Sequence, residues 1–372
     1  MGINRRITEA RMRLAQETST KTGFWEDIMP RINQGIVIPI ISNSFRVEQI
    51  FREQKDVSEQ STNNPKSGDG HLTIYEQLTK EWANWIDYPL PDCHNLARVA
   101  QYFLVEQKDT PQARTKFLEF LKSILLTIAQ DDEDYRDVVE KLKLRIPDYR
   151  FSEIVHEIDY PRFPQQIEDP LRLLAKLPLP IFFTTSYSDF LERALEAENK
   201  KPLTQVCFWS GVISSAKSEH QPNTEFVPTV TKPLVYHLYG LEDYPQTLVL
   251  SEDDYINFLI SMVEDTNTQM PIVPLNLRRA LSESHLILLG YELGNWDFRV
   301  LFRFILKFRK DEFSPRGMMI QLKRDEKSIG NIEKTLEYLD HYFDRKKFDV
   351  EWNSAESFIN RLWDEWNLYR RG

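Results

Sequence analysis

Apolar residues fall into two rhythms along this chain. From 73 to 157 they recur at helical spacing. Phe117, Phe120, Leu121, Ile124, Leu125 and Ile128 follow the i, i+3, i+4, i+7 rule of a helix with one buried face. The segments Asn95 to Gln107 and Tyr135 to Leu144 repeat the pattern. Elsewhere the apolar residues come in short continuous runs, as expected of strands buried on both faces of a parallel sheet. The first run is Ile36-Val37-Ile38-Pro39-Ile40-Ile41, where Pro39 predicts a strand end or a bulge. Further runs are Pro180 to Thr185, Val206-Cys207-Phe208-Trp209, Leu234 to Tyr239, His285 to Gly290, Met318 to Leu322, and an edge strand at Phe348 to Trp352.

Helical segments separate these runs: Arg46 to Gln54, Ser188 to Glu198, Glu252 to Val263, Phe298 to Phe308, and a last helix with Phe358, Leu362 and Trp366 on one face. Asn353 and Glu356 give that last helix a start resembling a capping box. Strands alternating with helices predict an α/β protein: a Rossmann-like, doubly wound, mostly parallel sheet with an inserted helical subdomain at about 73–157. Residues 1–29 read as a polar, basic arm bearing Arg5, Arg6, Arg11 and Arg13, and 30–372 as the domain proper. Residues 55–71 read as a polar loop.

Composition narrows the function classes. The formal charge is −10, which argues against direct nucleic-acid or anionic-membrane binding. Cys93 and Cys207 form no CxxC or zinc-type spacing, so two reduced thiols in a cytoplasmic protein are expected. No apolar run approaches the roughly 20 residues of a membrane span. The run Asp131-Asp132-Glu133-Asp134 reads as a solvated turn, and no metal is expected. Only 12 glycines are present, and the single G-x-G, Gly68-Asp69-Gly70, follows no strand.

In open α/β sheets ligands bind beyond the carboxyl ends of the strands. That rule selects Ser42-Asn43-Ser44, Thr184-Thr185-Ser186-Tyr187-Ser188-Asp189, Tyr239-Gly240, and Gly290-Tyr291-Glu292-Leu293-Gly294-Asn295-Trp296-Asp297. The second segment, continued through Phe190-Leu191-Glu192-Arg193-Ala194-Leu195, resembles the "TTNYDxxLExAL" turn of the sirtuin-like (silent-information-regulator-type) family. Val235-Tyr236-His237-Leu238-Tyr239-Gly240 with Leu248-Val249-Leu250-Ser251-Glu252-Asp253-Asp254-Tyr255 resembles that family's "VYKLHGxx…LVLTxxDY". Leu288 to Phe298 resembles "LxGYSxxDxxF". The chain is thus similar to the family's divergent branch in bacterial antiphage systems.

The resemblance implies a Rossmann-type domain that binds NAD or an ADP-ribose-like nucleotide, often cleaves it at the nicotinamide–ribose bond, and works as a homo-oligomer or beside a partner defence protein. It places an Asn at position 186 and a general-base His at 239. Here those positions hold Ser186 and Tyr239, and Ser188 replaces the turn's Asp. The family's "GAGxS" loop becomes Ile41-Ser42-Asn43-Ser44. A tyrosine, with a pKa near 10, is a poor base near neutrality, and a loop without glycine holds the backbone away from a pyrophosphate.

The expected site is therefore Ser186, His237 and Tyr239 for chemistry, with Ser42, Asn43, Ser44, Thr185, Gly290, Glu292 and Asp297 for the ligand. Several of these carry structural alternatives. Thr185 and Ser186 can cap the helix near Asp189, Asp297 can cap its own helix, and His237 can be a core histidine. Two functions follow from the resemblance: a catalytically degenerate binding or scaffolding module, or an active NAD hydrolase in which His237 and Ser186 substitute for the missing groups. A third reading, an unrelated α/β binding protein, rests on the residues alone.

Overall fold

The computed structural model describes residues 23–59, 72–163, 167–210, 220–264, 272–293, 295–309, 315–321, 338–339 and 341–371. The basic arm up to residue 22, most of the expected polar loop (60–71) and Leu322 lie outside the described residues. Seven parallel strands form one sheet in the order β3-β4-β2-β1-β5-β6-β7. They are β1 (Val37–Ile41), β2 (Ile181–Thr184), β3 (Leu203–Val206), β4 (Leu234–His237), β5 (His285–Tyr291), β6 (Gly317–Gln321) and β7 (Phe348–Glu351). Helices flank the sheet, giving the Rossmann-like α/β architecture expected from the pattern.

β1 lies at the centre with all five residues buried. Pro39 lies inside it, paired with Ile287 of β5, rather than at an end or bulge. The backbone geometry explains this. The His285 N–H donates to the Ile36 carbonyl, and the Thr185 N–H to the Ile41 carbonyl. Even-numbered β1 positions therefore address β5 and odd-numbered ones β2. The β1–β2 ladder begins only at Ile40, so the donor that Pro39 lacks falls where β2 is not yet paired.

β3 is displaced from its expected place. Leu203–Val206 pairs with Leu234 to His237, while Phe208 and Trp209 leave the sheet. Trp209 instead donates its indole N–H to the Thr247 carbonyl. The first helix after β1 is longer than expected, Asn43–Glu59, and takes in the start of the expected polar loop.

The region 73–157 is helical, as its periodicity predicts: Ile74–Trp85, Leu96–Glu106, Pro111–Arg114, Lys116–Ala129, Arg136–Lys143 and Phe151–Glu157. A capping box of Thr73 and Glu76 starts the first of these. The subdomain is tied to the sheet by a buried pair. Lys122 Nζ lies 3.0 Å from the Glu242 carboxylate, their side chains 7% and 6% exposed. Glu242 also accepts from the Phe151 N–H and the Ser188 hydroxyl, reaching across to the turn after β2.

Helix Phe24–Asn33 spans the expected arm boundary and buries Ile28, Met29 and Ile32. The final helix, Ala355–Arg371, buries Phe358, Leu362 and Trp366. The Ser354 hydroxyl accepts from the Ser357 N–H, so the helix starts on Ser354 rather than Asn353. Among the described residues, no helix is long and apolar enough to cross a membrane. Both cysteines are free thiols.

Candidate functional site

After β4 the chain crosses from one side of β1 to the other to form β5. The strand order therefore reverses at the sheet centre, where such folds open a crevice. A cavity of about 240 Å³ lies there. Its floor comes from strand ends: Asn43 and Ser44 after β1, Thr185 and Tyr187 after β2, Tyr239 after β4, and Asn295, Trp296 and Asp297 after β5. Tyr255 of helix Glu252–Glu264 adds a wall, and the helical subdomain supplies the roof through Tyr75, Glu76 and the segment His94 to Ala97. The roof is held by Arg98, which pairs with Glu252, and by Gln101, which bonds Asp253.

Of the expected residues, Asn43, Ser44, Thr185, Tyr239 and Asp297 meet at this cavity. Asn43 is its central tie. Its amide donates to the Tyr75 hydroxyl at 2.9 Å and accepts from the Tyr187 N–H at 3.3 Å. Thr185 Oγ1 accepts from the Asn43 N–H at 3.1 Å and lies 3.3 Å from the Tyr291 hydroxyl. Tyr239 donates its hydroxyl to the Asp297 main-chain carbonyl at 2.6 Å. Asp297 sits in the first turn of helix Trp296–Phe308, whose N-cap position is Asn295.

Ser42, Gly290, Ser186, His237 and Glu292 lie outside the cavity lining. Ser42 donates to the Gly290 carbonyl at 2.6 Å and accepts from the Phe45 N–H, so it caps the helix. Gly290 has φ +78°, and a Cβ there would lie 2.7 Å from the Ser42 hydroxyl. Ser186 Oγ donates to the Ser188 carbonyl and accepts from the Ser188 N–H, closing a local turn.

His237 is fully buried. Its Nδ1 lies 2.9 Å from the Ser186 carbonyl and its Nε2 2.8 Å from the Glu192 carboxylate. Both ring nitrogens face acceptors, which suits an imidazolium. Burial alone would lower its pKa, but the Glu192 charge and these bonds outweigh that and raise it. β4 ends at His237, so the strand alternation that would align it with Tyr239 stops there.

Electrostatically the cavity is acidic and short of cations. Burial raises the pKa of Asp297 to about 6. Burial, with help from Glu76, Glu48 and Asp297, raises that of Glu292 to about 8. Burial likewise raises Glu48 to about 7. The hydroxyls of Tyr75, Tyr187, Tyr239, Tyr255 and Tyr291 are all pushed above the ordinary phenol value, chiefly by burial, and the nearby Asp297 charge adds to each. Among the described residues, no Lys or Arg lines the cavity.

The N-terminus of helix Asn43–Glu59 faces this crevice, where a phosphate would dock in a dinucleotide fold. Two of its N–H groups are instead taken by Thr185 and Ser42 hydroxyls. A whole dinucleotide does not fit these residues. The volume is below the about 300–1,000 Å³ of common small-molecule pockets, and among the described residues no Lys or Arg is on the lining to pair with a pyrophosphate. Among the described residues, no cluster of His, Cys, Asp or Glu could hold a metal ion. A wider hollow of about 580 Å³ lies between the helical subdomain and helix Glu252–Glu264, away from the strand ends. Its Arg114 is engaged by Asp109 and Asp254.

The strand-end rule missed the roof residues Tyr75, Glu76 and His94 to Ala97 and the wall Tyr255; it took in Tyr187, Asn295 and Trp296 with their segments, without singling them out as site residues. Tyr187, Tyr255 and Trp296 fall inside the three family-like segments, so a signal for them was present.

Residues 180–343 match the family model of the SIR2-like domain. The chain is also 30% identical, over 91 residues, to the NAD(+) hydrolase ThsA of Bacillus cereus (strain MSX-D12). That match covers 24% of this chain and 16% of the relative's length.

Proposed function

Residues 180–343 are a SIR2-like domain, and from that premise we propose that the chain is a catalytically degenerate module of a bacterial defence or signalling assembly. It holds a nucleotide-derived ligand in the strand-end cavity without cleaving NAD, and acts through a partner protein or further copies of itself. The observation that carries this reading is Tyr239. It stands where the family resemblance places the base, its hydroxyl is spent on the Asp297 carbonyl, and burial holds its pKa well above the phenol value. A base must be able to take a proton near working pH, and this phenol is already a committed donor. His237 is held by Glu192 and Ser186 outside the cavity lining.

The test is incubation with NAD, alone and with any protein encoded beside it, while nicotinamide release is followed. No release is expected. The competing reading is an active NAD hydrolase, favoured by the identity shared with a protein of that name. NAD turnover that disappears in His237→Ala would establish it and remove the degenerate reading.

A further inference from the structure

The same cavity carries a statement about ligand class, which rests on the reading that it binds a ligand. We propose that it takes a phosphate-free organic cation of nucleoside size, with Asp297 as counter-ion and the rings of Tyr75, Tyr187, Tyr239, Tyr255 and Trp296 around it.

Charge is the first ground. Among the described residues, Glu76 and Asp297 line the cavity and no Lys or Arg does. Among the described residues, Asp297 has one carboxylate hydrogen bond, from the Phe298 N–H at 2.6 Å, and no ion-pair partner. A half-buried carboxylate without a counter-charge is costly, and a bound cation supplies that charge.

The rings are the second ground. Tyr255 lies nearly parallel to Trp296, with centroids 6.2 Å apart, and Tyr239 stands edge-on to Tyr255 at 5.5 Å. Aromatic rings gathered around one volume attract cations through their quadrupoles. The third ground is the helix end, where the Thr185 and Ser42 hydroxyls take the Asn43 and Phe45 N–H groups. Among the described residues, the site thus offers a carboxylate and rings to a cation and no side-chain cation to a phosphate. NAD carries its positive charge on a pyridinium ring, and nicotinamide riboside keeps that ring without any phosphate. The riboside is therefore the natural probe.

Isothermal titration of the full chain with nicotinamide riboside, its uncharged dihydro form and NAD tests the proposal. The charged riboside should bind about tenfold or more tightly than the dihydro form. NAD should bind more weakly than the riboside. Asp297→Asn should erase the preference for charge, and Glu76→Gln should reduce it. Equal binding of the two ribosides, or NAD binding more tightly than the riboside, overturns the proposal while leaving ligand binding in place. Failure of all three probes to bind removes both this inference and the ligand-binding form of the proposed function. If Asp297→Asn does not fold, the comparison of charged and uncharged ribosides on the unaltered chain decides.

Discussion

Lys122→Met should lower stability sharply, although Lys122 lies in the helical subdomain, far in sequence from the sheet. Its ammonium is the only cation on the Glu242 carboxylate among the described residues, and both side chains are over nine-tenths buried. Glu242 would keep the Phe151 N–H and the Ser188 hydroxyl, two neutral donors for a full charge. Removing one partner of such a pair costs about 3–5 kcal/mol, because the remaining charge stays buried. At roughly 2 °C per kcal/mol for a chain of this size, Tm should fall by roughly 6–10 °C. The deficit should depend on pH. Burial already raises the Glu242 pKa against the lowering effect of Lys122, and losing Lys122 raises it further. An acid whose folded pKa is raised favours folding below its unfolded value and loses that as pH rises through the folded value. The variant should therefore approach the parent near pH 4 and diverge toward pH 8. Adding Glu242→Gln should recover at least half of the loss. Thermal melts of the three proteins at the two pH values give the answer. A single variant that melts within about 1 °C of the parent at pH 8 would refute the claim that this pair pins the subdomain to the sheet.

Asp297→Asn should stabilise the chain at pH 8, on the order of 2 kcal/mol, and have little effect near pH 4, because the native carboxyl ionises only around pH 6; denaturant melts at both pH values check this. Gly290→Ala should cost on the order of 2–4 kcal/mol, from the positive φ and the contacts with Ser42 and with Phe45 Cβ at 2.8 Å, read as a lower urea midpoint. Glu192→Gln should destabilise most below the unfolded histidine pKa. There the raised His237 pKa contributes in full, and the difference from the parent should shrink as pH rises through the folded value.

Most of the sheet was legible in the sequence because its strands are short, continuous apolar runs, which few other elements produce. β3 was not. Leu203-Thr204-Gln205-Val206 looks less like a strand than Cys207-Phe208-Trp209, yet the Thr204 hydroxyl finds the Glu192 carboxylate and Gln205 is buried against its neighbours. The more apolar triplet was free to wall the segment around Thr247. Pro39 sits inside β1 against the sequence expectation because the penalty of a proline depends on which neighbour its missing N–H would face, and that is decided by strands about 140 and 250 residues away. At the site, strand ends pointed to Asn43, Ser44, Thr185, Tyr239 and Asp297, since topology alone puts them together. The roof depends on how the inserted helices dock, through pairs such as Arg98 with Glu252, which no local pattern encodes.

The position of β1 also bears on how the chain reaches its fold during synthesis. Its five apolar residues leave the ribosome well before its partners in β2 and β5 are made. The Ser42 hydroxyl closes on the Gly290 carbonyl, 248 positions on. Long-range parallel pairing of this kind is slow, since the loop must be closed before any ladder bond forms. Until then the most water-averse strand is an open edge and a hazard for self-association. Truncated nascent chains ending before residue 285 should therefore be the aggregation-prone species.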